Sequence, residues 1–169
     1  MTASIKLRAL QKDDHKIVQK MFAEFNASEF GKYDPIENTD EAHVLAFLEN
    51  MMQNHVIYAI TPSSSDEMIG YICFHITEGE YDIGYMTLTE YRRTGIATAA
   101  SEMAMKKVNE ERGATVFTAT VAAENNPSVR VLEKLGFSFV SEKCVKKEDN
   151  VTEYFITERQ YEKHFSCDV

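Results

Sequence analysis

Apolar positions from Ile5 to Leu10 are interleaved with Lys6 and Arg8, and this alternation predicts a half-buried strand. The period then changes. Asp13 and Asp14 open a helical stretch, where the dipole favours acidic residues, and Ile17, Val18, Met21, Phe22 and Phe25 give it one apolar face. After a polar segment with Gly31 and Pro35, a second helix starts near Thr39 and carries Val44, Leu45, Phe47, Leu48, Met51 and Met52. Val56 to Ile60 reads as a strand ending in a turn, Thr61 to Asp66. Met68–Ile76 and Tyr81–Leu88 are rich in β-branched and aromatic residues and read as a hairpin around Thr77-Glu78-Gly79-Glu80. Tyr91 to Gly95 leads into a helix from Ile96 that stops at Gly113, with Ile96, Ala100, Met103, Ala104 and Val108 on one side. Thr115 to Val121 is strand-like, and Asn126-Pro127 caps a short helix that ends at Gly136. Phe137–Cys144 and Val151–Thr157 are the last strands, across a charged turn from Lys146 to Asn150. They leave a tail from Arg159 as a short helix or a loose end.

The order is β-α-α-β-β-β-α-β-α-β-β, with no repeat, low-complexity tract or linker. It predicts an α/β fold with a mixed sheet in a single domain over residues 1–169. Eighteen Lys and Arg stand against 27 Asp and Glu, a net charge of -9. That balance disfavours a nucleic acid as partner and suits one that bears an amine. Cys73, Cys144 and Cys167 are far apart and form no Cys-x-x-Cys pair, and the N-terminus lacks the apolar run of a signal peptide. No segment reaches the roughly 18 apolar residues of a membrane span. The expectation is a reduced, cytoplasmic protein with no membrane partner.

The chemistry concentrates where Tyr81–Leu88 runs into the next helix. Arg92-Arg93-Thr94-Gly95-Ile96-Ala97-Thr98 places a glycine and small residues at a helix entry. Unpaired backbone N–H groups and the positive dipole end there form an anion site that phosphates can approach closely. Neither Gly-x-Gly-x-x-Gly nor Gly-Lys-Ser/Thr is present, so both standard nucleotide readings fail. The histidines show no metal-ligand spacing, and the cysteines have no activating neighbour in sequence. A metal site and an acyl-cysteine route are therefore disfavoured.

The Arg92–Thr98 stretch resembles the acyl-CoA loop of the GNAT N-acetyltransferase superfamily, whose signature is Gln/Arg-x-x-Gly-x-Gly/Ala. A second stretch, Glu124-Asn125-Asn126-Pro127-Ser128-Val129-Arg130-Val131-Leu132-Glu133-Lys134-Leu135-Gly136-Phe137, resembles the family's Asn-x-x-Ser…Glu-Lys-Leu-Gly-Phe segment at the expected distance. Residues 80–157 carry the resemblance, and residues 1–79 share only the element order. With Asp82-Ile83-Gly84-Tyr85, the segment looks most like the ribosomal-protein N-terminal acetyltransferase branch.

The resemblance implies a GNAT-like sheet of about seven strands flanked by about four helices, with acetyl-CoA as co-substrate and no metal. It implies that backbone groups near Met86 and Leu88 bind the pantetheine arm, and that the amides of Arg93, Thr94, Gly95, Ile96, Ala97 and Thr98 hold the pyrophosphate. Asn125 would bond the pantetheine, Ser128 would sit near the thioester sulfur, and a strand N–H such as that of Met86 would stabilise the oxyanion.

The resemblance implies direct attack by a neutral amine on the thioester, which calls for a base or water relay. Asp82 is ranked first as that base, then Glu80, then His75. Some relatives carry a tyrosine acid seven residues after the asparagine, where this chain has Leu132. That departure supports the alternative of a non-catalytic acyl-CoA-binding or sensor domain. The acceptor, a small molecule or a protein N-terminus, is left open, as is the oligomeric state, a homodimer included.

Overall fold

A computed structural model describes residues 4–148 and 153–165. Strands β1 (Ile5–Arg8), β2 (Val56–Pro62), β3 (Gly70–Thr77), β4 (Glu80–Thr87), β5 (Val116–Ala122), β6 (Ser138–Glu148) and β7 (Glu153–His164) form one sheet in the order β1-β2-β3-β4-β5-β7-β6. Helices α1 (His15–Asn26), α2 (Glu41–Asn54), α3 (Ile96–Arg112) and α4 (Asn126–Lys134) complete the expected order. β4 and β5 are the parallel neighbours, and α3 is the crossover that such a pair requires.

Two apolar clusters lie on opposite faces of the sheet. Ile96, Ala100, Ala104, Met105 and Val108 of α3 and Val129 and Leu132 of α4 pack with Ile83, Phe117 and Tyr161 on one face. Val18, Met21 and Phe22 of α1 and Val44, Leu48 and Met51 of α2 pack with Ile57, Tyr71 and Cys73 on the other. At the entry to α1, Arg8 makes a two-pronged ion pair with Asp14 at 2.8 and 2.9 Å. Asp14 therefore acts through this charge pair as well as through the helix dipole.

Several boundaries depart from the hydrophobic pattern. From Arg159 to His164 the chain is neither helix nor loose end; it continues β7, and Gln160, Tyr161 and Glu162 pair with β5. The charged turn expected from Lys146 to Asn150 is strand as far as Glu148: Lys146, Lys147 and Glu148 belong to β6 and pair with Phe155, Tyr154 and Glu153 of β7. The rest of that turn, Asp149 and Asn150, and Val151 and Cys167 lie outside the described residues. Met103 is exposed while Met105 and Ser101 are buried, because α3 turns its stripe by one position against the sheet. Leu45 and Met52 of α2 likewise face outward. α4 is capped by Asn125, whose side chain accepts from the Ser128 N–H, rather than by Asn126.

Candidate active site

β4 and β5 pair only at Tyr81↔Phe117 and Asp82↔Thr118. Beyond that point the strands diverge, and the edge of β4 from Ile83 to Thr87 has no strand beside it among the described residues. The other edge of β4 is paired with β3 along its whole length, without a bulge.

The register decides which main-chain groups the open edge presents. In an antiparallel pair, directly opposed residues alternate between those that exchange hydrogen bonds and those that do not. Leu88 N–H donates to Ile69 O at 3.0 Å. Two residues back, Met86 faces Tyr71 in the same bonded phase. A Cβ on Gly70 would meet Met86 O at 2.6 Å, which confirms where that carbonyl points. The amides of Met86 and Leu88 are therefore turned to β3 and cannot reach a ligand in the gap. Tyr85 and Thr87 present their N–H and C=O groups to it instead.

At the wide end of the gap, a short 3₁₀ turn (Thr89–Tyr91) leads to Arg93 and Gly95, both left-handed at φ +63° and +83°. Thr94 Oγ1 donates to Tyr91 O at 2.6 Å, and Ala99 N–H is the first in the segment to bond back, to Gly95 O. The six amides from Arg93 to Thr98 have no acceptor among the described residues. Consecutive free N–H groups at the positive end of a 17-residue helix bind anions.

The chain matches the family model for the acetyltransferase (GNAT) domain over residues 4–138. It belongs to that family. An uncharacterized N-acetyltransferase, YnaD of Bacillus subtilis (strain 168), is 27% identical over 151 residues, covering 86% of this chain and 87% of the relative. A spermidine N-acetyltransferase from Vibrio cholerae, solved with CoA and spermine, superposes with a TM-score of 0.75 at 16% identity, covering 95% of each chain. A ribosomal-protein-S5-alanine acetyltransferase from Vibrio fischeri gives 0.73 at 17% identity, covering 95% of this chain and 92% of that one.

In this GNAT chain the three expected catalytic residues do not share one face. Ile83 is buried in the α3/α4 cluster and Met86 packs in the α1/α2 cluster. Strand alternation then puts Asp82 and Gly84 on the α1/α2 side. Asn125 and Ser128 stand at the start of α4, on the opposite side. The gap between β4 and β5 joins the two.

Asn125 Oδ1 is engaged by Ser128 N–H at 3.3 Å, so only its Nδ2 is free for a ligand. Leu132 is 2% exposed and is a core residue.

Asp82 is half-buried, and its Oδ1 accepts from Thr118 Oγ1 at 3.1 Å. Burial raises its pKa; the Thr118 hydrogen bond and His75 oppose that rise and Glu80 adds to it. His75 lies directly across from Asp82 on β3. Desolvation of its ring, then His55 with its ring centre 5.0 Å away, lowers its pKa, and Asp82 opposes that fall. His55 Nδ1 accepts from Ile76 N–H at 3.1 Å, which fixes the ring beside His75. Glu80 is exposed at the hairpin.

Burial pushes the Cys73 thiol up to about 12, which leaves it unreactive at neutral pH. Among the described residues there is no cluster of three or more metal-ligating side chains, and no helix is long and apolar enough to cross a membrane.

Tyr85, Thr118 and His55 are functional candidates that the sequence reading missed. Tyr85 was open to detection through its parity with Ile83, but Thr118 and His55 come from strands and helices remote in sequence.

Proposed function

We propose that this GNAT chain transfers the acetyl group of acetyl-CoA to a primary amine by direct attack. The observation that carries the reading is the opening between β4 and β5 with six free amides at its mouth. The Arg93–Thr98 amides would hold the pyrophosphate, and Gly95 keeps a side chain out of its way. The strand-like pantetheine arm would bond the exposed main chain of Tyr85 and Thr87, with Asn125 Nδ2 and Ser128 on its other side. Bound there, acetyl-CoA supplies an activated thioester carbonyl.

The amine comes from the α1/α2 face, where Asp82 stands. An amine of ordinary pKa near 10 is mostly protonated at pH 7 and must lose a proton before it attacks. Asp82 takes that proton, directly or through a water, and Thr118 fixes the carboxylate. Glu80, at the start of the same strand, and His75, opposite Asp82, are the further candidates for the base.

A thiolate resembling that of cysteine leaves at a pKa near 8.5, so Leu132 in place of a tyrosine does not forbid turnover. Its burial does favour the second reading, an acyl-CoA-binding domain without catalysis. Release of CoA thiol from acetyl-CoA with a panel of amines separates the two. Turnover with cationic amines, weakened by added salt as screening shortens the reach of the -9 charge, supports the enzyme and its acceptor class. Binding of CoA with no thiol release by any amine leaves the second reading.

A further inference from the structure

The turn that carries the free amides is held in an uncommon conformation. A non-glycine residue at positive φ, as at Arg93, persists only where the surroundings impose it. Most of what imposes it is local. Tyr91 N–H bonds Leu88 O, Arg92 N–H bonds Thr89 O, Thr94 Oγ1 bonds Tyr91 O, and Ala99 N–H bonds Gly95 O. Each of these bonds spans three or four residues.

Among the described residues, one side-chain hydrogen bond reaches the 88–95 segment from elsewhere in the chain. Glu24 Oε2, on α1, accepts from the Thr89 N–H at 2.7 Å across 65 positions of sequence. Thr89 opens the 3₁₀ turn, and its N–H is one of the donors that such a turn cannot satisfy internally. A carboxylate there is both acceptor and counter-charge to the positive end of the turn. Lys20, one helical turn earlier, adds a second contact, at 3.7 Å from Glu24 and 3.9 Å from Glu90. The hydrogen bond from Thr89 and the charges of Lys20 and Arg92 outweigh the partial burial of Glu24 and hold its pKa below the usual range.

An acidic group so near an anion site would repel the ligand if it shared the ligand's side of the turn. Glu24 instead caps the Thr89 end from α1, while the free amides lie downstream at the start of α3.

We propose that Glu24 is a positioning residue for the acyl-CoA turn: it anchors the upstream end so that the Arg93–Thr98 amides converge on the pyrophosphate. The role rests on the cradle reading above. Glu24 touches no substrate and acts through Thr89. Its loss weakens CoA binding without altering the chemical step, and a neutral acceptor of the same shape recovers part of the effect.

The test is a calorimetric titration of CoA into wild type, Glu24→Ala, Glu24→Gln and Gly95→Val, with thermal denaturation of each. The expected pattern is a CoA Kd about tenfold weaker in Glu24→Ala, an intermediate value in Glu24→Gln and severe loss in Gly95→Val, at nearly unchanged Tm for both Glu24 variants. In steady state, Glu24→Ala raises KM for acetyl-CoA and leaves kcat at saturation intact. CoA binding by Glu24→Ala equal to wild type, with Gly95→Val still defective, overturns the role of Glu24 and spares the cradle. A Tm loss that tracks the affinity loss, with no recovery in Glu24→Gln, also overturns it by showing general loosening of α1. Absence of CoA binding by wild type, or full binding by Gly95→Val, removes the cradle and this role with it.

Discussion

The Tyr85 hydroxyl donates to the Ser128 carbonyl oxygen at 3.1 Å and ties β4 to the first turn of α4 where β4 and β5 have separated. The ring is packed against the α3/α4 core and the hydroxyl is its one polar tip, so the bond sets the spacing between the strand edge and the helix. Tyr85→Phe keeps the packing and deletes the brace. The expected result is a stability loss of about 0.5–1.5 kcal/mol by denaturant unfolding, with a several-fold rise in KM for acetyl-CoA. An unchanged KM would show that the gap keeps its width without the hydroxyl.

Asp82→Asn tests the base. A missing general base lowers rates by about 10²–10⁴, so kcat falls sharply at pH 7 and less at high pH, where free amine is abundant. CoA affinity stays close to wild type. Near-normal activity in Asp82→Asn beside loss in His75→Ala or Glu80→Gln would move the role to that residue.

The same substitution makes a stability prediction of a definite sign. Burial, the main influence, raises the Asp82 pKa in the folded protein. The stabilising contribution of its protonated form is therefore fully present below about pH 3.9 and lost as the pH rises through the raised value. Asn cannot ionise and still accepts from Thr118. Asp82→Asn is expected to have a higher Tm than wild type at pH 7, with the difference vanishing toward pH 3. A lower Tm at pH 7 would mean that the ionised carboxylate is a net stabiliser.

Gly95 and Gly113 bracket α3, both left-handed, at φ +83° and +67°. Valine at either position adds a backbone strain of about 1–2 kcal/mol. Only Gly95→Val also places carbon atoms on the phosphate approach. Both variants are expected to melt earlier, and only Gly95→Val is expected to lose CoA in an affinity titration. Equal CoA affinities in the two would assign any defect to strain.

A methyl group on Gly84 would come within 2.9 Å of Cys73 Sγ on the neighbouring strand. Gly84→Ala is therefore overpacked by about 1–3 kcal/mol. Adding Cys73→Ala removes the obstructing sulfur, so the double variant is expected to be more stable than Gly84→Ala. A double-mutant cycle on unfolding free energies measures the coupling, and strictly additive losses would place the clash elsewhere.

Element order and the acyl-CoA turn were legible because their signals are local. Gly95 and Gly113 mark the ends of α3, and helical or alternating periods mark which residues face a core. Even the aim of the β4 amides was within reach. Glu78 and Gly79, both at positive φ, make a two-residue turn that sets Thr77 against Glu80 in the bonded phase. Counting by twos from Glu80 reaches Met86 and Leu88, whose N–H groups are therefore spent on β3, and leaves Tyr85 and Thr87 for a ligand.

What the sequence determined by itself, then, is the run of elements, the parity of each strand and the small-residue entry to α3, since these depend on neighbours a few positions apart. Only the tertiary structure decided where β4 and β5 part, that Asp82 and Ser128 lie on opposite faces, and that Thr118, His55 and Glu24 come to the site. Those facts depend on strand splay and on contacts between residues as many as 65 positions apart. Single-chain patterns do not encode such contacts, because a hydrogen-bond partner can be any polar residue that packing brings within 3 Å.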